Sequence, residues 1–543
     1  MKKLRASYTI KSYLEELDQA GRKFKKTLKG HRGQLYSSMQ TAQHFIVKCS
    51  ESKMLNSQFI RAAQTLTASL EYRVFATLSD GYGMEFRRFN PKTFEADWNK
   101  FLQSLASELV AKFPEGESLR QFIAEQLEHI RAANPDGSSS THVLYGTLLR
   151  ASPTLPEATI ADALKDPASL TVRFVGDALQ TLWLNDIEVG RTAMQRLLAS
   201  SNPELQSHVG RALAAINFTQ RPYGPEEAAA LEQIVASEHE WTVFSAIHAL
   251  RSVAKTNAED ALRLARLTNI GANPRLADEL LCLFSFGEEL RYDRLSKDDV
   301  QLLLDKLMEV PELNGHWTET FLSNTSKSFP GMALDFFIAR VERAVSTKSW
   351  KYRPTNHGPY VHVPLKFKEA TNYGALLAKT VQWISSASYE EDQRVLFNYR
   401  ARELFEAAFG AFDEEVVQFL DLWSETSDEA GFKIIANLME EAPHTFVFTH
   451  KEFVLALMTR AQRAGADAFK YVGSALFSAS IGGIRQGAAG EPFARDIESK
   501  QKCEEILATL SKFSPAYELY DGLLKHADGE IARSKREREE FED

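Results

Sequence analysis

From Asp166 to Val310 the apolar residues recur at intervals of three and four, and the recurrence is broken at regular points. Between Leu170 and Leu184 they fall at Val172, Val175, Leu179 and Leu182, then at Val209, Leu213 and Ile216, then at Val243, Ile247, Leu250 and Val253. That spacing lays one apolar stripe along an α-helix. The stripes also echo one another. Val175-Gly176-Asp177-Ala178-Leu179 returns 34 positions later as Val209-Gly210-Arg211-Ala212-Leu213, and Ala249-Leu250 follows Ala212-Leu213 by 37. Asp166-Pro167, Asn202-Pro203 and Asn273-Pro274 open successive units. Asn or Asp suits a helix N-cap, and Pro in the first turn gives up no hydrogen bond. The pattern predicts helix pairs over 168–200, 203–236, 239–268, 273–309 and 314–345.

One helix pair of about 35 residues cannot bury its apolar face alone; stacked pairs build a continuous core. The segment 166–345 resembles HEAT or armadillo-type helical repeats, a class defined by periodicity more than by invariant residues. The resemblance implies an α-solenoid with a long concave surface. It also implies an interaction scaffold, of the kind found as accessory components of bacterial multi-protein systems such as antiviral defence.

The first 130 residues carry longer stripes. One runs Leu35, Met39, Ala42, Phe45, Ile46, Cys49, and another Leu55, Phe59, Ala63, Leu66, Leu70, Val74, Leu78. Two more pass through Phe94–Leu109 and Leu119–Ile130. Asn134–Ser140 is turn-rich and marks a boundary. After the repeats, Ser346–Lys368 breaks the helical pattern. It contains Tyr360-Val361-His362-Val363, which alone reads as strand. Helical patterning resumes at Ala370, with glycines making 471–491 the most flexible internal stretch expected, and a charged helix follows from Gly529. The expected fold is all-α: an N-terminal helical bundle (1–133), HEAT-like repeats (141–345), a non-helical basic and aromatic insertion (346–369), and further helical repeats (370–543).

Composition narrows the chemistry. The 543 residues are 44% hydrophobic, enough for a core. Cys49, Cys282 and Cys503 are odd in number and far apart, which fits buried thiols rather than a disulfide framework or a zinc site. Met1-Lys2-Lys3-Leu4 is followed by no apolar run, and no stretch is long enough to span a bilayer, so a cytoplasmic protein without membrane partners is expected. The net charge of −9 is unevenly spread: residues 1–32 carry +7, which leaves −16 for the rest.

No GxSxG, HExxH or CxxC motif occurs. Glu238-His239-Glu240 does not read as a metal site, because neighbours one and two apart on a helix do not share a face. Ser480–Arg485 lacks the phosphate-loop pattern and reads as a connector. No catalytic residue, metal or cofactor is expected. Two basic regions remain. Arg22, Lys23, Lys25, Lys26, Lys29 and Arg32 form one candidate patch for an anionic partner, against the plainer reading of a solvated helix end. The other is the insertion. From Thr347 to Lys368 there is no acidic residue, while Lys348, Lys351, Arg353, Lys366 and Lys368 interleave with Trp350, Tyr352, Tyr360 and Phe367. Lys351, Tyr352, Arg353, His357, Tyr360, His362, Lys366 and Lys368 are its candidate binding residues. Aromatic faces beside cations suit stacking and phosphate contact with nucleic acid, or a protein hot spot; the alternative is a loop whose aromatics tuck against adjacent helices. The expected function is a non-enzymatic scaffold or sensor with a protein partner. Nucleic-acid binding through these two regions is the second reading, and a hydrolase or glycosylase on a helical-repeat frame the third.

Overall fold

The computed structural model describes residues 106–107, 109–111, 113–133, 142–285, 289–355, 363–482 and 491–542. The basic residues Arg22–Arg32, the stripes at 35–49 and 55–78, the boundary 134–140, and His357, Tyr360 and His362 lie outside them. The described residues are mostly helical and contain no strand. The chain divides into two compact units, Met1–Asn269 and Ile270–Asp543.

In the first unit the helices are Gly116–Ala133 (α1), His142–Ala151 (α2), Leu155–Lys165 (α3), Val175–Asn185 (α4), Ile187–Leu198 (α5), Pro203–Ala215 (α6), Pro225–Val235 (α7), Glu240–Ala254 (α8) and Ala258–Leu267 (α9). Asn202 caps α6, its Oδ1 accepting from the N–H groups of Glu204 (2.8 Å) and Leu205 (3.4 Å), with Pro203 in the first turn. Asp166-Pro167 does not open a helix in the same way. Asp166 ends α3, and a 3₁₀ turn at Val172–Phe174 intervenes before α4. The helices fall in two rows: α4, α6 and α8 are successive neighbours, and so are α5, α7 and α9.

The echoed Val-Gly-x-Ala-Leu motif has a packing cause. A Cβ at Gly210 would sit 2.7 Å from the carbonyl carbon of Ser245 and 2.9 Å from the nitrogen of Ala246. Only a glycine lets α8 lie that close to α6. Gly176 holds the matching place between α4 and α6, where a Cβ would meet the Cβ of Arg211 at 3.3 Å. Val209, Leu213, Ile247 and Leu250 are then fully enclosed, each contributing roughly 1.5–3 kcal/mol by leaving water. Side chains tie both ends of the contact: Thr242 Oγ1 donates to Pro203 O (2.7 Å) and Ser252 Oγ to Ile216 O (2.7 Å).

The second unit contains Pro274–Cys282 (α10), Lys297–Met308 (α11), His316–Ser328 (α12), Pro330–Ser346 (α13), Tyr373–Ser386 (α14), Glu391–Phe409 (α15), Glu414–Thr426 (α16), Glu429–Met439 (α17), Phe446–Thr449 (α18), Lys451–Ala464 (α19), Ala466–Ile481 (α20), Ala494–Thr509 (α21) and Tyr517–Glu542 (α22). The start of the glycine-bearing 471–491 stretch is helical after all. Gly473 sits inside α20, where a Cβ would lie 3.5 Å from the methyl of Met458. One row runs α11, α13, α15, α17, α20. The other passes α10 and α12, then the 3₁₀ turn Phe367–Glu369, then α14, α16 and α19.

Polar links bridge several helices, or the turns at their ends, to the next of their row. Arg191 grips Glu227 at a separation of 36 residues, Tyr223 reaches Asp260 at 37, Arg343 reaches Glu309 at 34, Arg402 reaches Glu440 at 38 and Arg460 reaches Asp421 at 39. Most are exposed pairs and add little each. Glu227 is the exception. It is fully buried and accepts from Arg191 Nε and Nη2 and from the Gly224 N–H. Burial opposes its ionisation, yet these donors outweigh burial and hold it below the usual carboxylate range.

Candidate interaction surface

The 346–369 insertion leaves α13 through a strained turn. Lys348 has φ +51°, a conformation that glycine normally supplies. Its N–H donates to Val345 O (3.1 Å), and the Ser349 N–H reaches back to Ala344 O (2.9 Å). This is the standard way to satisfy the last carbonyls of a helix, carried out here by a lysine.

Two buried arginines then hold the outgoing arm. Arg340, on α13, is fully enclosed. Nε donates to Arg353 O (2.8 Å), Nη1 to Leu307 O (2.9 Å) and Val310 O (2.8 Å), and Nη2 to Pro311 O (2.8 Å). Three of these carbonyls close the C-terminal end of α11, where a helix favours positive charge. No carboxylate accepts from this guanidinium. Burial pushes it down to about 9, so it stays protonated at neutral pH. Arg400, on α15, is equally enclosed. It donates to Glu403 Oε2 (2.6 Å) and to the main-chain oxygen of Trp350. Both guanidiniums also face the arm's rings, Arg340 at 5.7 Å from the Tyr352 centroid and Arg400 at 5.4 Å from that of Trp350. Arg343 covers Tyr352 from 5.0 Å. The arm is therefore gripped twice, at its carbonyls and at its rings, from two successive helices of one row.

The returning arm lies along α12. The Val363 N–H donates to Glu319 Oε2 (3.1 Å), Ser323 Oγ to Pro364 O (2.7 Å) and the Lys366 N–H to Ser326 Oγ (2.8 Å). Val363 itself is irregular backbone rather than strand. Phe367 is fully buried between Phe337 (6.2 Å) and Phe409 (6.3 Å) and fills the place between α12 and α14.

The predicted binding residues separate accordingly. Lys351 is exposed. Tyr352 is half-buried beneath two arginines, and the carbonyl of half-buried Arg353 is taken by Arg340. Lys366 is half-buried, and Lys368 pairs with Asp413 (3.0 Å). Lys348 pairs with Asp392. The acid-free stretch thus finds counter-charges on helices that follow it in sequence. The aromatics split in the same way: Phe367 and Tyr352 pack inward, while Trp350 stays 54% exposed.

Trp350 runs beside α15. Lys348 meets Asp392 and the Trp350 ring meets that of Tyr399 edge-on at 5.7 Å, so the arm tracks almost two turns of that helix. Val395 lies between those contacts on the same face and is 64% exposed. Arg340, Arg400 and Val395 carry no motif, and the sequence marks them only as positions on helices. Their signal would have been a cation within an apolar stripe: Arg340 sits between Phe336-Phe337 and Val341, and Arg400 between Leu396-Phe397 and Leu404. Among the described residues no three His, Cys, Asp or Glu side chains converge as a metal site, and no helix is long and apolar enough to cross a membrane. No protein-family model matches the chain, and a search of curated proteins finds no relative.

Proposed function

We propose that this protein is an interaction scaffold whose helical rows form a HEAT-like α-solenoid, and that the arm 347–355 is its binding element for a protein partner. The observation that supports this reading most is the double grip of Arg340 and Arg400 on an arm that still leaves Trp350 exposed. Burying two guanidiniums is costly, and a connector needs no such support. A rigid, pre-ordered Trp is the kind of anchor that dominates protein interfaces, because little entropy remains to be lost on binding.

The test replaces Trp350 and Lys351 together by Ala in the full chain and measures partner capture at two salt concentrations. The expected result is loss of capture with an unchanged helical spectrum. Full capture by the variant would sink this reading. The second reading, nucleic-acid binding through the insertion and the N-terminal basic segment, rests on Lys351 and the exposed indole. It predicts affinity that falls linearly with salt on logarithmic axes, as phosphate contacts do.

A further inference from the structure

We propose that Ser349–Lys351 is a releasable strap. It exchanges between the held state described above, in which Trp350 is pre-ordered, and a lifted state in which it leaves α15. The pivot is Lys348, and Arg340 keeps Arg353 in place throughout. The inference goes beyond the scaffold reading, because it concerns the arm alone and needs no partner.

The two grips differ in how completely their polar atoms are matched. Arg340 donates from all three of its nitrogens to four main-chain carbonyls, and Pro354, just beyond Arg353, is buried. At the other end Arg400 gives Nη1 to Glu403 Oε2 and Nη2 to Trp350 O. Its Nε has no protein partner, and neither has Glu403 Oε1, although both atoms are enclosed. A buried polar atom without a partner carries its whole desolvation cost. Closing the strap over Arg400 therefore leaves one donor and one acceptor unmatched. The Trp350 ring covers that guanidinium from 5.4 Å. Lifting it opens the Arg400–Glu403 pair to water, which serves both atoms. The bond to Trp350 O is given up, but that carbonyl and Nη2 are then hydrated as well.

The root of the strap favours release too. Lys348 is left-handed at φ +51°, where a side chain is strained. The outer fastening, Lys348 to Asp392, is exposed on both sides and holds weakly. Trp350 already stands more than half exposed, so lifting it uncovers little new apolar surface. Release is opposed by the charged bond from Arg400 Nη2, by the guanidinium against the indole, and by the edge-on contact of Trp350 with Tyr399. Contributions of these kinds are of the same order as the cost of two unmatched buried atoms. The lifted state is then a minor population of about 1–10%. Only the held state sets Trp350 beside Tyr399. A partner that uses Trp350 there binds in proportion to the held fraction, so whatever tips the strap regulates the surface.

The experiment incorporates 5-fluorotryptophan into the full-length protein, which has seven tryptophans, and assigns the Trp350 fluorine resonance by its loss in Trp350→Phe. The expected result is a second, minor signal for Trp350, seen directly or by saturation transfer, while the tryptophans away from the strap show one state. Lys348→Gly accepts the left-handed turn and should lower the minor fraction severalfold. Arg400→Met combined with Glu403→Met removes the latch without leaving a lone buried charge, and should make the lifted signal the main one. A single state for Trp350 in the parent, or a minor fraction that Lys348→Gly leaves unchanged, overturns the inference whatever the double variant does. So does exchange shared by all seven tryptophans, which would be a motion of more than the strap. An ordered water joining Arg400 Nε to Glu403 Oε1 in a crystal structure overturns it as well, because the held state would then leave neither atom unmatched.

Discussion

His208 gives the sharpest test of how the first unit is packed. It lies on α6 against α4, where a Cβ on Gly176 would stand 3.6 Å from its Nδ1. It is 2% exposed and neither ring nitrogen has a hydrogen-bond partner. Burial, seconded by the charge of Arg211 and only partly offset by Asp177, pushes the imidazole from 6.5 down to about 4. A base with a depressed folded pKa stabilises nothing by titrating. The unfolded chain takes up the proton first, so stability is intact above the unfolded value and is lost as pH falls from 6.5 toward 4. Going from about pH 7 to about pH 5, the linkage relation gives a loss of about 2 kcal/mol from this one side chain. Replacing His208 by Leu removes the titration and two unsatisfied nitrogens while keeping an apolar body of similar size. Urea denaturation of both proteins at the two pH values isolates the effect, because every other titrating group is common to both. The variant is expected to match or slightly exceed the parent near neutrality and to exceed it by about 2 kcal/mol in acid. Equal losses in both proteins would falsify the placement of a neutral, unpartnered imidazole between α4 and α6.

Arg340→Met leaves four main-chain carbonyls without their donor, and should cost about 3–5 kcal/mol, since each hydrogen bond to a charged group contributes about 1.5–3 kcal/mol but the guanidinium's own desolvation cost is removed with it; hydrogen exchange should rise across 347–355 and 307–311, and unchanged exchange there would refute the grip. Arg340→Lys keeps the charge but not the planar fork, and should rescue only part of the protection. Gly210→Ala should destabilise by about 1–3 kcal/mol despite alanine's better helix propensity, because the new methyl meets the main chain of α8; a neutral or stabilising result in a melting experiment would show that α6 and α8 are less close than described. Lys348→Gly should raise the melting temperature by relieving the left-handed turn, whereas Asp392→Asn should leave it nearly unchanged, because the Lys348–Asp392 pair is solvent-exposed.

Much of the helical order was legible in the residues. The three-and-four spacing located the helices from 175 to 346, and Asn202-Pro203 and Asn273-Pro274 mark true helix starts because their caps are local. Asp166-Pro167 looks alike, but its carboxylate accepts from the Ala168 N–H in a turn and caps no helix, since the 3₁₀ turn at Val172–Phe174 defers the next one. The echo around Gly176 and Gly210 was visible as a pattern; its cause, a main chain pressed against each glycine, belongs to a neighbouring helix. The insertion was harder to read. A stretch free of acids looks strongly basic, yet Asp392 and Asp413 answer Lys348 and Lys368 from about 45 residues away. Arg340 and Arg400 passed as ordinary helix cations because their acceptors are mostly carbonyls, and carbonyls leave no trace in composition.

The polar links along the rows have a consequence for how the chain acquires its structure. Arg191 waits 36 residues for Glu227, Tyr223 waits 37 for Asp260, and Arg402 waits 38 for Glu440. Contacts so short in sequence make for low contact order and rapid local closure. During synthesis each helix pair can dock as soon as the next one has emerged, long before the rest exists. The C-terminal helix departs from that schedule: Tyr520, buried on α22, donates to Val447 O across 73 residues (2.7 Å). Until that bond forms, the α18 segment of the second unit remains without its cover, so it is sealed only by residues that emerge 73 positions later.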